Sequence, residues 1–324
     1  MSPQANRYPK PDRHPSVSPA FDLRLARVEE FFKARSFSAN TQKAYRRELK
    51  RFLEWTDEPW SAMTPRVFAR YKDHLRSSLA ASSVNRALCA LKSFFSWLSR
   101  AYPDGLPTNP VETISLQKLP LPPARDLTDE IVAALWQAVA APTSTQRRDA
   151  ALLGVLAHGL RAGEVVALNL ADYDGIRLTV RQGKDDSSGT VPLTGLARTH
   201  LNAYLAWRRQ QGERFNPNQP LFLSHNPVNP GGRLGYQGIY YTIRDLGVRA
   251  GIEGLTPHRL RHTYATKLLL KGMDSLHART LTRHKSEASF KRYAKRALSA
   301  AAERAFYSAI GEEPPTQTGG WEEF

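Results

Sequence analysis

The chain is almost without cysteine. Cys89 is its only one, so neither a disulfide framework nor a site built on several thiolates is open to it. Cys89 sits among apolar residues at helical spacing in NRALCALKSFF and is expected in a core. No apolar run approaches the roughly 18 residues of a membrane-spanning helix. The opening stretch, MSPQANRYPKPDRHPSVSPA, has none of the apolar character of a secretory leader. Acidic residues are also scarce: 30 Asp and Glu stand against 46 Lys and Arg, a formal charge of +16. These absences point to a soluble intracellular protein whose partner is a polyanion, with nucleic acid ahead of an acidic membrane surface.

What is present organises into two domains. With 324 residues, 41% of them hydrophobic, the chain can fill more than one core. Residues 1–20, rich in Pro, Ser and Arg, are expected to be disordered. Residues 21–105 read as a four-helix domain without a strand. Its apolar stripes run through Val28, Phe31 and Phe32; Tyr45, Leu49, Phe52 and Leu53; and Val84, Leu88, Leu91, Phe94, Phe95 and Leu98. Ser38 and Asn40 are candidate N-caps, and Pro65 falls in the first turn of another helix. Residues 106–125 hold five prolines between Pro107 and Pro123 and read as an extended linker.

Residues 126–310 form the second domain. Thr128 caps a helix over TDEIVAALWQAVAA; a second ends at Gly159, and a short third follows over RAGEVVA. In IRLTVRQ, Ile176, Leu178 and Val180 alternate with Arg177, Thr179 and Arg181, which predicts a strand; GKDDSSG turns the chain and TVPL returns it. Helices are expected over LARTHLNAYLAWRRQQG and PHRLRHTYATKLLLKGM, and one or two over SEASFKRYAKRALSAAAERAFYSAI. Residues 311–324 read as a loose tail. The fold class is therefore mostly α with a small antiparallel β-sheet.

Several short strings carry chemistry. Arg161 and Glu164 are three apart at a helix start, which suits either a capping pair or a working arginine with its carboxylate. Lys184 is the only lysine between Lys118 and Lys267; a lysine can give up a proton where arginine cannot. His258 and Arg261 share a helix face. His262 is four residues from His258, but Arg259 and Arg261 beside the pair oppose a cation, so a phosphate fits better than a metal. Tyr293 lies in the basic string SFKRYAKRA, either as a buried ring among solvated charges or as a nucleophile that meets a phosphate.

In order these strings read Arg161-x-x-Glu164, Lys184 in a hairpin, His258-x-x-Arg261, His284 and Tyr293. This resembles the tyrosine recombinase (phage integrase) family over roughly residues 22–300. ANTQKAYRRELKRFLEW and SSVNRALCALKSFFSWL resemble parts of that family's N-terminal core-binding domain. GLRAGEVVALNLADYD resembles its first arginine box. The chain departs from the family in having Thr282-Arg283-His284 where Leu-Gly-His is usual, and Asp185 and Asp186 after the hairpin lysine. Arg283 is expected either to shift His284 or to add a phosphate contact.

The resemblance implies a helical core-binding domain joined to an α+β catalytic domain. It implies a site-specific recombinase that cuts and rejoins double-stranded DNA through a covalent 3′-phosphotyrosyl intermediate. Tyr293 would be the nucleophile, Arg161 and Arg261 the clamps on the phosphate, and Lys184 the acid for the leaving 5′-oxygen. His258 would assist proton transfer, His284 would hydrogen-bond the phosphate, and Glu164 would orient the cluster. No metal or other cofactor is expected. Thr41, Lys43 and Arg86 are candidate DNA contacts. Residues 298–310 could dock on a neighbouring subunit or on their own domain, and a tetramer on DNA in the nucleoid is expected. A type IB topoisomerase, or a DNA-binding relative impaired in catalysis, is the alternative.

Overall fold

Helix signals at the sequence level find their partners in space. The structure, a computed structural model, describes residues 23–119, 126–181, 188–284 and 287–313. The chain divides into two units, Met1–Pro120 and Leu121–Phe324.

The described part of the first unit is helical. It contains α1 (Leu23–Lys33), α2 (Ala39–Trp55), α3 (Pro65–Arg76) and α4 (Ala81–Ala101), with a short 3-10 turn at Trp60–Ala62. Ser38 caps α2 by accepting from the Thr41 N–H, and Pro65 opens α3. Their apolar stripes meet in an aromatic core. Phe31, Phe52, Phe68, Phe94 and Phe95 are fully buried, and each contributes roughly 1.5–3 kcal/mol relative to exposure. Phe68 meets Phe95 edge to face at 4.8 Å. Cys89, expected in this core, is exposed. The buried stripe of α4 passes through Leu88 and Leu91, and a residue one position past Leu88 is turned about 100° from it.

The expected linker begins later than its prolines suggest. Leu106 and Val111 are buried in the first unit's core. Lys72 donates to the Ser115 carbonyl at 2.6 Å, and Asn85 brackets Gln117 with bonds of 2.8 and 2.7 Å. Residues 106–119 therefore line the helical unit instead of leaving it.

The second unit is built around α6 (Gln146–Leu156), buried on all sides from Arg148 to Leu156, as a helix apolar around its circumference must be. Arg148 and Asp149 enter the core as an ion pair at 2.7 Å. Around α6 stand α5 (Asp129–Ala140), capped by Thr128, and α7 (Ala162–Ala167), then α8 (Gly195–Gln210), α9 (Tyr236–Arg249) and α10 (Pro257–Leu270). The last two helices are α11 (Ser275–Thr282) and α12 (Glu287–Ile310), the latter one continuous helix.

Strands β1 (Arg177–Val180) and β2 (Gly189–Pro192) pair antiparallel, Arg177 with Pro192 and Val180 with Gly189. Leu178 and Val180 face inward as the alternation predicts, but Ile176 is 53% exposed and lies before the strand. The sequence pattern did not reveal α9 or α11. In α9, YQGIYYTIRDLGVR mixes two glycines with β-branched and aromatic residues, all weak helix formers; burial of Ile239, Ile243 and Leu246 sustains it. Helix α11 is too short to show a period and is started by Asp274, which accepts from the N–H groups of Leu276 and His277. No described helix is long and apolar enough to cross a membrane.

Candidate active site

The site starts at the end of α6. Gly159 has φ 77°, and a Cβ there would sit 2.6 Å from Cδ1 of Tyr264 on α10. Only glycine satisfies both the left-handed backbone and the ring. The turn delivers Leu160 into the core and leaves Arg161 as the N-cap of α7. Glu164, at the third position of that helix, accepts from the Arg161 backbone N–H at 2.8 Å and from Arg161 Nη1 at 2.6 Å. Glu164 is 3% exposed. Burial would raise its pKa, but the charge of Arg283 and hydrogen bonds from Arg161 and Arg283 hold it below the usual carboxylate value.

Helix α10 supplies the second arginine. Thr256 caps it and Pro257 occupies its first turn. Arg261 is 1% exposed. Its guanidinium donates to the carbonyls of Gly159 and Thr282, tying the end of α6 to the end of α11. Arg261 Nη2 is also 3.3 Å from His284 Nε2. Thr282 Oγ1 donates to the Ala278 carbonyl at 2.7 Å and lies 2.7 Å from His284 Nδ1. Arg261 Nη2 lies 3.4 Å from Nδ1 as well, so a guanidinium donor stands beside the ring, which suits an imidazole that accepts. Burial first, and then the charges of Arg261, Arg161, His258 and His262, push the His284 pKa down to about 3. The ring is neutral near pH 7.

Arg283, expected to disturb His284 or reach a phosphate, has its side chain buried against Glu164 at 2.7 Å. Its backbone carbonyl accepts from Arg161 Nη2 at 3.0 Å. His258 is exposed in the first turn of α10, its ring 5.1 Å from that of His262. Among the described residues no three His, Cys, Asp or Glu side chains are grouped as metal ligands would be.

The structure therefore brings together Arg161, Glu164, Arg261, His284 and His258. Phe290, buried with Ala265, Leu269 and Ala278, fastens the start of α12 to α10 and α11, and lies 5.5 Å from the His284 ring. Tyr293 is a residue of α12. Lys184 lies outside the described residues, in the segment joining β1 to β2. Thr41, Lys43 and Arg86 belong to the first unit. Thr41 shares a hydrogen bond of 2.9 Å with Ser38, Lys43 is exposed, and Arg86 Nε donates to Glu48 at 3.1 Å.

Three working residues went unnoticed in the sequence. Thr282 holds His284 through a 2.7 Å contact with Nδ1 and takes Arg261 on its carbonyl, and only its place two residues before His284 hinted at it. His158 donates from Nδ1 to the Gly154 carbonyl at 2.7 Å and accepts the Thr194 N–H at 3.0 Å. Burial lowers its pKa, so it is a neutral fastener between α6 and the start of α8. Glu48, fully buried, collects Arg47, Arg51 and Arg86 on one carboxylate; a lone Glu among arginines gave no signal in the sequence.

Comparison with known proteins gives the family. Residues 125–299 match the phage integrase family, and residues 28–102 match the phage integrase N-terminal SAM-like domain. Tyrosine recombinase XerC of Roseiflexus sp. (strain RS-1) is 34% identical over 262 residues, 78% of this chain and 82% of that protein. Two solved structures share the fold. XerH site-specific recombinase bound to palindromic difH substrate has a TM-score of 0.68 at 18% identity, over 87% of this chain and 84% of that one. A lambda integrase tetramer bound to a Holliday junction has a TM-score of 0.66 at 17% identity, over 93% and 79%. By the match of its residues 125–299 and its likeness to tyrosine recombinases over most of its length, the chain belongs to the phage integrase family and is a tyrosine recombinase, an enzyme of site-specific DNA recombination.

Proposed function

We propose that Tyr293 is the nucleophile and that Arg161, Lys184, His258, Arg261 and His284 form the phosphate site around it, with Glu164 in support. The observation that carries this is the joint anchoring of Arg161 and Arg261 beside neutral His284, from segments a hundred residues apart. Tyr293 Oη attacks the scissile phosphorus, and its proton passes toward His258. A P–O bond to tyrosine forms and the P–O5′ bond breaks. Lys184 supplies the proton to the departing 5′-oxygen, leaving a 3′-phosphotyrosyl link. A 5′-hydroxyl from the exchanging strand reverses the step, so the bond energy is kept and religation needs no nucleotide cofactor. The transition state gathers charge on the non-bridging oxygens, where guanidinium donors stabilise it.

The partner in this reading is double-stranded DNA, contacted by the core-binding domain at 21–105 and the catalytic domain at 126–310. Thr41, Lys43 and Arg86 contribute on the first of these. The excess of 16 positive charges favours a polyanion. Strand exchange is carried out by a tetramer in the synapse, in the cytoplasm and at the nucleoid, with residues 298–310 available for subunit docking. The test is a nicked suicide substrate that traps covalent protein–DNA. Tyr293→Phe should bind DNA as the parent does and trap none. Covalent product from the Phe variant would move the attack to another tyrosine, such as Tyr264 or Tyr307. Relaxation of supercoils lacking any specific site would instead favour a topoisomerase.

A further inference from the structure

Arg283 stands where the family usually has glycine, and it is the only non-glycine residue with positive φ among the described residues, at φ 52° and ψ 47°. An L-residue is strained there, so it persists only where its surroundings hold it. Three contacts do so. Arg283 Nη2 donates to Glu164 Oε2 at 2.7 Å, in an ion pair whose side chains are 4% and 2% exposed. Arg283 Nη1 donates to the Leu281 carbonyl at 3.0 Å. The aliphatic stem lies against Gly189 at the start of β2, where a Cβ would be 3.3 Å from Arg283 Cδ.

The same residue reaches Arg161 twice. Its carbonyl accepts from Arg161 Nη2 at 3.0 Å. Its guanidinium shares Glu164 Oε2 with the Arg161 backbone N–H, while Glu164 Oε1 takes Arg161 Nη1. The carboxylate is thus divided between two cations. With Arg283 absent, Glu164 would keep its bonds to Arg161 alone, and its whole charge would draw that guanidinium inward. A glycine could supply the carbonyl but not this division.

We propose that Arg283 is a positioning residue for Arg161, sharing Glu164 so that Arg161 faces the scissile phosphate. The proposal rests on the reading that Arg161 neutralises a non-bridging phosphate oxygen. The experiment is single-turnover cleavage by the full-length protein on two suicide substrates, one with a normal scissile phosphate and one with a neutral methylphosphonate. The variants are Arg283→Met, Arg283→Lys, Arg283→Gly and Arg161→Ala; the Gly variant keeps the left-handed backbone without strain and so tests the side chain even where Met fails to fold.

The Met and Gly variants should cleave the phosphate about ten-fold more slowly, the lower end of what losing an outer-shell partner costs. DNA affinity should be unchanged and Arg283→Lys should recover part of the rate. On the methylphosphonate, which has lost one negative oxygen, their deficit should shrink together with that of Arg161→Ala. Parental cleavage by Arg283→Gly, or an equal deficit on both substrates, would overturn the positioning role. Parental cleavage by Arg161→Ala would instead overturn the reading of Arg161 on which it rests.

Discussion

Glu164→Gln is the sharpest perturbation the structure offers. Glutamine has the shape of glutamate, so packing is preserved and only charge and one hydrogen-bonding sense change. In the parent the carboxylate is 3% exposed and accepts from the Arg161 N–H, Arg161 Nη1 and Arg283 Nη2. All three partners are donors. An amide must turn its NH2 toward one of them, and two guanidinium groups then share a pocket without an anion. Breaking a buried ion pair in this way costs about 3–5 kcal/mol. Arg161 is 30% exposed, so water relieves part of the cost and the lower end, about 3 kcal/mol, applies. For a unit the size of Leu121–Phe324, that lowers the thermal midpoint by roughly 6–12 °C. The charge left most isolated is that of Arg283, whose side chain is 4% exposed. Adding Arg283→Met should therefore return at least about 1 kcal/mol relative to the sum of the single changes. Calorimetry or urea unfolding of the four proteins at pH 7 measures this. A loss below about 1 kcal/mol for Glu164→Gln, or simple additivity in the double variant, would refute the account of a carboxylate shared by two arginines.

Lys184→Arg should bind DNA as the parent does but cleave slowly, because arginine does not release a proton near neutral pH. Replacing the leaving 5′-oxygen by sulfur should restore much of that rate, but not the rate of an Arg161 or Arg261 variant. Cleavage should be unchanged by EDTA, since guanidinium groups supply the charge a divalent ion would otherwise provide; loss reversed by magnesium would contradict this. His284 has a pKa lowered from 6.5 to about 3, so below about pH 6.5 the unfolded chain takes up a proton that the folded one refuses. Stability should fall as the pH drops through that window toward 3, by at most about 1.4 kcal/mol per pH unit, and His284→Gln should flatten the slope in urea titrations. Glu48→Gln should lower the first unit's thermal midpoint and weaken DNA binding, because Arg47, Arg51 and Arg86 lose their common anchor; unchanged binding at several salt concentrations would count against it.

The sequence by itself determined the elements whose cause is local. Ser38, Thr128 and Thr256 cap helices through their own side chains, and Pro65 and Pro257 occupy first turns. The alternation of Leu178 and Val180 gave the strand, and helical spacing of aromatic residues gave the first unit's core. Arg161, Glu164, His258, Arg261 and His284 were legible as short strings, and the structure brings these five together. Tertiary structure decided the rest. Burial of Ile239, Ile243 and Leu246 overrides the weak propensity of α9, and the local pattern could not say that Leu106 and Val111 return to the core or that Cys89 points away from it. The partner of Arg283 was likewise invisible, because Glu164 is 119 residues away along the chain. Only the meeting of α7 with the end of α11 makes a residue in a strained backbone position the second cation on a buried carboxylate, since an ion pair closed from water depends on where elements meet and not on what either string contains.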